Sequence, residues 1–218
     1  MRSLLFLLAI GAAAQEPPAV GWTLGRDGAV RRLSGIAGAF RTGAAVRDHV
    51  TQFFFDGRSG WQVRLGLLER PGGAPVHQLG GGPVLLCAAG AYQPSTGTLF
   101  TDNGAEQLAH LATDLPVLAA EFEEGVLRRV VRRGAELRIE ALAVADGAVL
   151  ASSAWNGPDG PLAFSGSKLL AAPADLGAAA LFPIGEGWFQ ARGAGGDFAL
   201  RLREGRWEAF AIPVEDAP

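Results

Sequence analysis

Short apolar runs alternate with turn residues along most of the chain, about one run in every ten residues, the rhythm of an all-β protein. Turn signals fall at Asp27-Gly28, Asp56-Gly57, Gly72-Gly73, Gly80-Gly81-Gly82, Asn103-Gly104, Asp146-Gly147, Asp159-Gly160 and Gly195-Gly196. An Asx-Gly pair supplies the positive φ angles that tight hairpins demand. Between these signals the pattern predicts strands over 51–55, 61–65, 84–88, 136–144, 178–182, 188–191, 198–202 and 207–212. In one of them Phe198, Leu200 and Leu202 share a face while Ala199, Arg201 and Arg203 take the other. Segments 105–112 and 117–133 also carry Ala, Glu, Leu and Arg at spacings a helix accepts. Glu123-Glu124-Gly125 interrupts the second and favours a hairpin there.

A longer period overlies the short one. Gly-Trp occurs at Gly21-Trp22, Gly60-Trp61 and Gly187-Trp188. The first interval is about 40 residues and the second roughly three times that, which suits a propeller blade of four strands. Stepping on from Trp61 lands near Asp102-Asn103-Gly104 and then Asp146-Gly147. On that register Asp27, Asp56, Asp102 and Asp146 occupy equivalent turns and ring one mouth of the molecule.

Residues 21–33 and 187–202 resemble the hairpins of degenerate secreted bacterial β-propeller repeat proteins, in which a strand ends at an Asp/Gly turn and a second returns with alternating apolar residues. Ser34-Gly35-Ile36-Ala37-Gly38-Ala39 is similar to a link between blades of that group. The likeness covers part of the chain and carries no functional motif, and the Trp-Asp ending of WD40 blades is missing. It implies about five small blades, the last closed by the N-terminal strand. A β-sandwich or a two-sheet barrel would give the same strand spacing.

The N-terminus reads as a secretory signal. Arg2 is the only charge before Glu16, the apolar run 4–10 is too short to span a bilayer, and Ala12-Ala13-Ala14 places the cut before Gln15. The expected organisation is a signal peptide over 1–14 and a single β-rich domain over 15–218, secreted or periplasmic. No later stretch is apolar enough to span a membrane as a helix. Cys87 is the sole cysteine and sits in an apolar run, so it reads as a small buried hydrophobe with no disulfide partner in the chain.

With 49% apolar residues and a net charge of −3 the composition is globular and slightly acidic. Arg128, Arg129, Arg132 and Arg133 read as a solvated face, and nucleic acid is not an expected partner. Ser165-Gly166-Ser167-Lys168 fits the Ser-x-x-Lys pattern, but no Ser-Asp-Asn or Lys-Thr-Gly element follows, so it reads as a turn. His49, His77 and His110 have no metal-ligand spacing, and Asp48-His49 would point to opposite faces of a strand. No catalytic residue, cofactor or metal site is assigned. The candidate surface is Trp155, set beside the loop Asn156-Gly157-Pro158-Asp159-Gly160, with the turn residues Asp27, Asp56, Asp102 and Asp146. The expected function is binding of a protein or glycan in the cell envelope. A hydrolase using carboxylates gathered from several loops, acting on carbohydrate or cell-wall material, is one alternative. A structural or assembly subunit with open edge strands is the other.

Overall fold

A computed structural model describes residues 17–213, apart from Gly72 and Ala74. The segment read as a signal peptide, its cut after Ala14, and Gly72 of one turn signal lie outside the described residues. Strands β1 (Ala19–Leu24), β2 (Val30–Ile36) and β3 (Ala39–Arg47) form an N-terminal antiparallel sheet. Blade I is β4 (Val50–Phe55), β5 (Gly60–Arg64), β6 (Leu67–Glu69) and β7 (Pro75–Gln78). Blade II is β8 (Leu85–Cys87), β9 (Gly90–Gln93), β10 (Thr98–Thr101) and β11 (Gly104–Gln107). Blade III is β12 (Val117–Glu123), β13 (Val126–Arg133), β14 (Glu136–Ala143) and β15 (Val149–Ala154). Blade IV has only β16 (Leu162–Ser165) and β17 (Lys168–Ala171). Blade V is β18 (Ala178–Gly185), β19 (Trp188–Gly193), β20 (Gly196–Arg203) and β21 (Arg206–Ala211).

The first strand of every blade lines a central channel, and β18 packs directly on β4 to close the ring. The fold is a five-blade β-propeller. Segment 105–112 resolves into β11 and a single 3₁₀ turn at Ala109–Leu111, and 117–133 is the hairpin β12–β13. Its turn places Glu124 at φ 50° and Gly125 at φ 77°. Leu65-Gly66 and Glu204-Gly205 repeat that geometry. Positive φ at both central residues matches the twist of the flanking strands. No helix among the described residues is long and apolar enough to cross a membrane.

The N-terminal segment departs from the expected closure. Blade V is built from four strands of its own, and β1–β3 forms a separate sheet wedged between blades V and I. Leu33 and Phe40 pack there against Ile184 and Ala199, while Leu24 and Val30 pack against Val50 and Phe53. The segment can stand as a sheet because its turns at Asp27-Gly28 and Ala37-Gly38 let it meet its own backbone hydrogen bonds.

The other cores lie between neighbouring blades. Trp61 and Leu68 meet Val84 and Phe100; Tyr92 and Leu99 meet Leu127 and Leu142; Val130 and Leu137 meet Phe164; Leu170 meets Phe189 and Leu200. Blade IV ends after two strands, and the Trp207 indole donates to the Ala171 carbonyl on its open edge at 3.0 Å.

Buried charge is clamped between second and third strands. In blade I Gln62 donates to Glu69 at 2.6 Å and Arg64 at 2.8 Å. Burial alone would raise the Glu69 pKa, but these two donors overcome it and hold the carboxyl below its ordinary value. Blade V repeats the pattern with Gln190, Arg192 and Asp197, and in both blades the amide precedes the acid by seven residues. In blade III Arg129 fills the equivalent role against Glu140 at 3.0 Å. Arg129 is therefore buried, not part of the solvated face expected for 128–133, because it has a carboxylate directly across the strand pair.

Candidate functional site

The channel is an apolar cavity of about 300 Å³ walled by side chains such as Phe54, Leu86, Ala120, Phe164, Leu181 and Phe182. It opens into a second space of about 420 Å³ at the turns that join first to second strands. Asp56, Glu123 and Glu124 stand at this mouth. Glu121 lines both spaces, at the junction between apolar channel and acidic mouth.

Glu121 interrupts the apolar run Leu118-Ala119-Ala120-Glu121-Phe122 of β12 and is only 3% exposed. It accepts hydrogen bonds from the backbone N–H groups of Ala88 and Phe122. Among the described residues no cation pairs with it. Burial pushes its carboxyl pKa up to about 7; the charges of Glu123 and Asp56 push the same way, against the two backbone donors. Arg192 also lines the channel, but its guanidinium is engaged by the Leu24 carbonyl and by Asp197 at 3.4 Å.

Cys87 ends the strand beside this site, fully buried. Burial, and then the Glu121 charge, push its thiol up to about 12. Iodoacetamide at about pH 8 is therefore expected to leave Cys87 unmodified in the native protein and to label it only in denaturant. Mass spectrometry of the alkylated chain reads the difference; rapid native labelling would contradict the burial.

The candidate turn residues divide. Asp56 lines the channel mouth and caps its own turn, accepting from the N–H groups of Arg58 at 2.8 Å and Ser59 at 2.6 Å. Asp27 is consumed locally: Arg31 grips both oxygens at 3.0 and 2.6 Å and Ala29 N–H adds a third bond. Arg31 first, and Ala29 second, hold its pKa down to about 2. Asp102 is tied to Arg70, whose guanidinium also lies 3.8 Å over the Trp61 ring. Asp146 accepts from Ala148 N–H at 2.9 Å and closes the β14–β15 turn. The four do not form one ring: Asp27 and Asp56 sit between first and second strands of their sheets, Asp102 and Asp146 between third and fourth. Trp155 is half-buried, its indole donating to the Pro158 carbonyl at 3.3 Å, and a Cβ on Gly157 would strike its ring.

Of the histidines, His77 bonds the Thr101 carbonyl and His110 the Val144 carbonyl, while His49 is exposed at positive φ. Among the described residues no three metal-ligating side chains converge. Ser165-Gly166-Ser167-Lys168 is the turn between β16 and β17.

Sequence reading passed over Glu121. The available signal was a lone carboxylate inside an apolar strand, which a buried environment tolerates only with a reason. Fold and site together define a five-blade β-propeller with a carboxylate set in an apolar central channel. No protein-family model matches the chain, and no curated protein matches it.

Proposed function

We propose that the protein is an exported, non-enzymatic binding protein of the cell envelope whose ligand enters the propeller channel. The observation that supports this reading is the channel itself, a concave, mainly apolar space with a few polar groups converging on it, the usual form of a ligand site. Export rests on Arg2, the apolar run and Ala12-Ala13-Ala14. Screening a library of small apolar fragments by amide chemical shifts is expected to perturb residues of β4, β8, β12, β16 and β18. A screen in which no fragment moves these strands would overturn the reading.

One observation favours the hydrolase reading. Glu121 retains its proton to near neutrality beside other carboxylates at the mouth, and a carboxyl pair with separated pKa values is how acid and base roles divide in glycoside hydrolysis. Turnover of cell-wall fragments that disappears in Glu121→Gln would decide for it.

A further inference from the structure

We propose that the channel selects small organic cations, an ammonium group docking on Glu121 while its apolar body lies among the channel side chains. This rests on the reading that the channel binds a ligand, and supplies the chemical class.

The first reason is the state of Glu121. A carboxylate removed from water needs a counter-charge or a proton, and among the described residues no cation pairs with Glu121. The charged groups around it at the mouth are acidic, and Arg192 of blade V, which also lines the channel, is spent on Asp197 and the Leu24 carbonyl. Blade I contributes Asp56, blade II the Cys87 thiol, and its own blade Glu123 and Glu124; blades IV and V present Phe164 and Pro183. Arg128, which stands across from Glu121 in the register of β12 and β13, lies 3.7 Å from Glu123. An anionic ligand would meet repulsion at the mouth and again at the junction, whereas a cation is attracted at both.

The second reason is the character of the walls. A hard metal ion calls for about six oxygen ligands, and the described residues bring no three ligating side chains together. The channel instead offers Phe54, Phe164 and Phe182. Aromatic faces attract organic cations and pack against apolar bodies. At about 300 Å³ the space is at the small end of ligand sites, so the cation is compact, with a single ring or a short branched chain.

The test uses the full chain, isothermal titration calorimetry and two probes of equal shape, 2-phenylethylammonium and neutral 2-phenylethanol. An alkylammonium stays charged at both about pH 6 and about pH 8. Glu121 must lose its proton to receive it, so affinity is expected to be about tenfold weaker at the lower pH, with about one proton released per ligand bound there. Buffers of different ionisation enthalpy read that proton on the wild-type protein, without any mutation. Glu121→Gln is expected to weaken the ammonium probe at least about tenfold and to abolish its pH dependence, leaving phenylethanol unchanged. If phenylethanol binds and the ammonium binds no better, channel binding stands and cation selection is overturned. Failure of both probes to bind overturns both. Ammonium binding that is indifferent to Glu121→Gln and to pH overturns the docking on Glu121.

Discussion

Glu121→Gln is expected to stabilise the unliganded protein by about 3 kcal/mol at about pH 8 and to leave it nearly unchanged at about pH 4. The folded chain holds the Glu121 proton up to about 7, whereas a glutamate free in water gives it up near 4.5. Below the lower value both states carry the proton and the site costs nothing. As pH rises from there to about 7, the unfolded chain ionises freely and the folded chain does not, so wild-type stability falls through that window and stays low above it. A glutamine has no proton to lose, keeps an oxygen for the Ala88 N–H, and removes the decline. Urea titrations at several pH values give the comparison; parallel profiles for the two proteins would show that Glu121 is not the strained group. A residue that weakens its own fold at neutral pH fits a site shaped for something other than stability.

Gln190→Ala is expected to cost about 3 kcal/mol and to loosen the N-terminal sheet before the rest of the molecule. The Gln190 oxygen accepts from Thr23 Oγ1 at 2.9 Å and from Leu24 N–H at 3.0 Å, while its nitrogen donates to the Leu24 carbonyl at 3.0 Å and to Asp197 at 2.8 Å. Truncation strands the Leu24 N–H and the Thr23 hydroxyl in the interior; Arg192 still reaches the Leu24 carbonyl. Hydrogen exchange is expected to accelerate in residues 19–47 and to change little in blades II to IV. The same substitution at Gln62 is the control, because its amide donates to Glu69 within blade I. Uniform acceleration across all sheets would show that β1–β3 is not an independently opening unit.

Much of the fold was legible because strands and hairpins are written locally. The period-2 run Phe198, Leu200, Leu202 and the turn Glu124-Gly125 need only near neighbours to specify them. The turn at Leu65-Gly66 carries no Asx-Gly signal, although its backbone matches that of Glu124-Gly125. The Gly-Trp interval was informative for a partial reason. Trp61 and Trp188 both stand on second strands, but Trp22 lies on the first strand of the wedge sheet, so the register extrapolated from it drifted. That drift is why the four aspartates were placed in one ring and the structure keeps only Asp56 at the mouth. The paired motifs Gln62-x-Arg64 with Glu69 and Gln190-x-Arg192 with Asp197 are a truer repeat, and they were present in the chain all along.

The sequence by itself determined an all-β chain of short hairpins, enough apolar residues for a core, and a lone cysteine in an apolar strand. Alternation and glycine placement act over a few residues, so no long-range information was required. Only the tertiary structure decided which carboxylate matters. Closing the ring brings Phe54, Cys87, Glu121, Phe164 and Pro183 around one axis from five separate strands or their ends. Whether a carboxylate is a solvated turn residue or a buried, unpaired acid depends on what those distant strands withhold from it: water and a counter-charge.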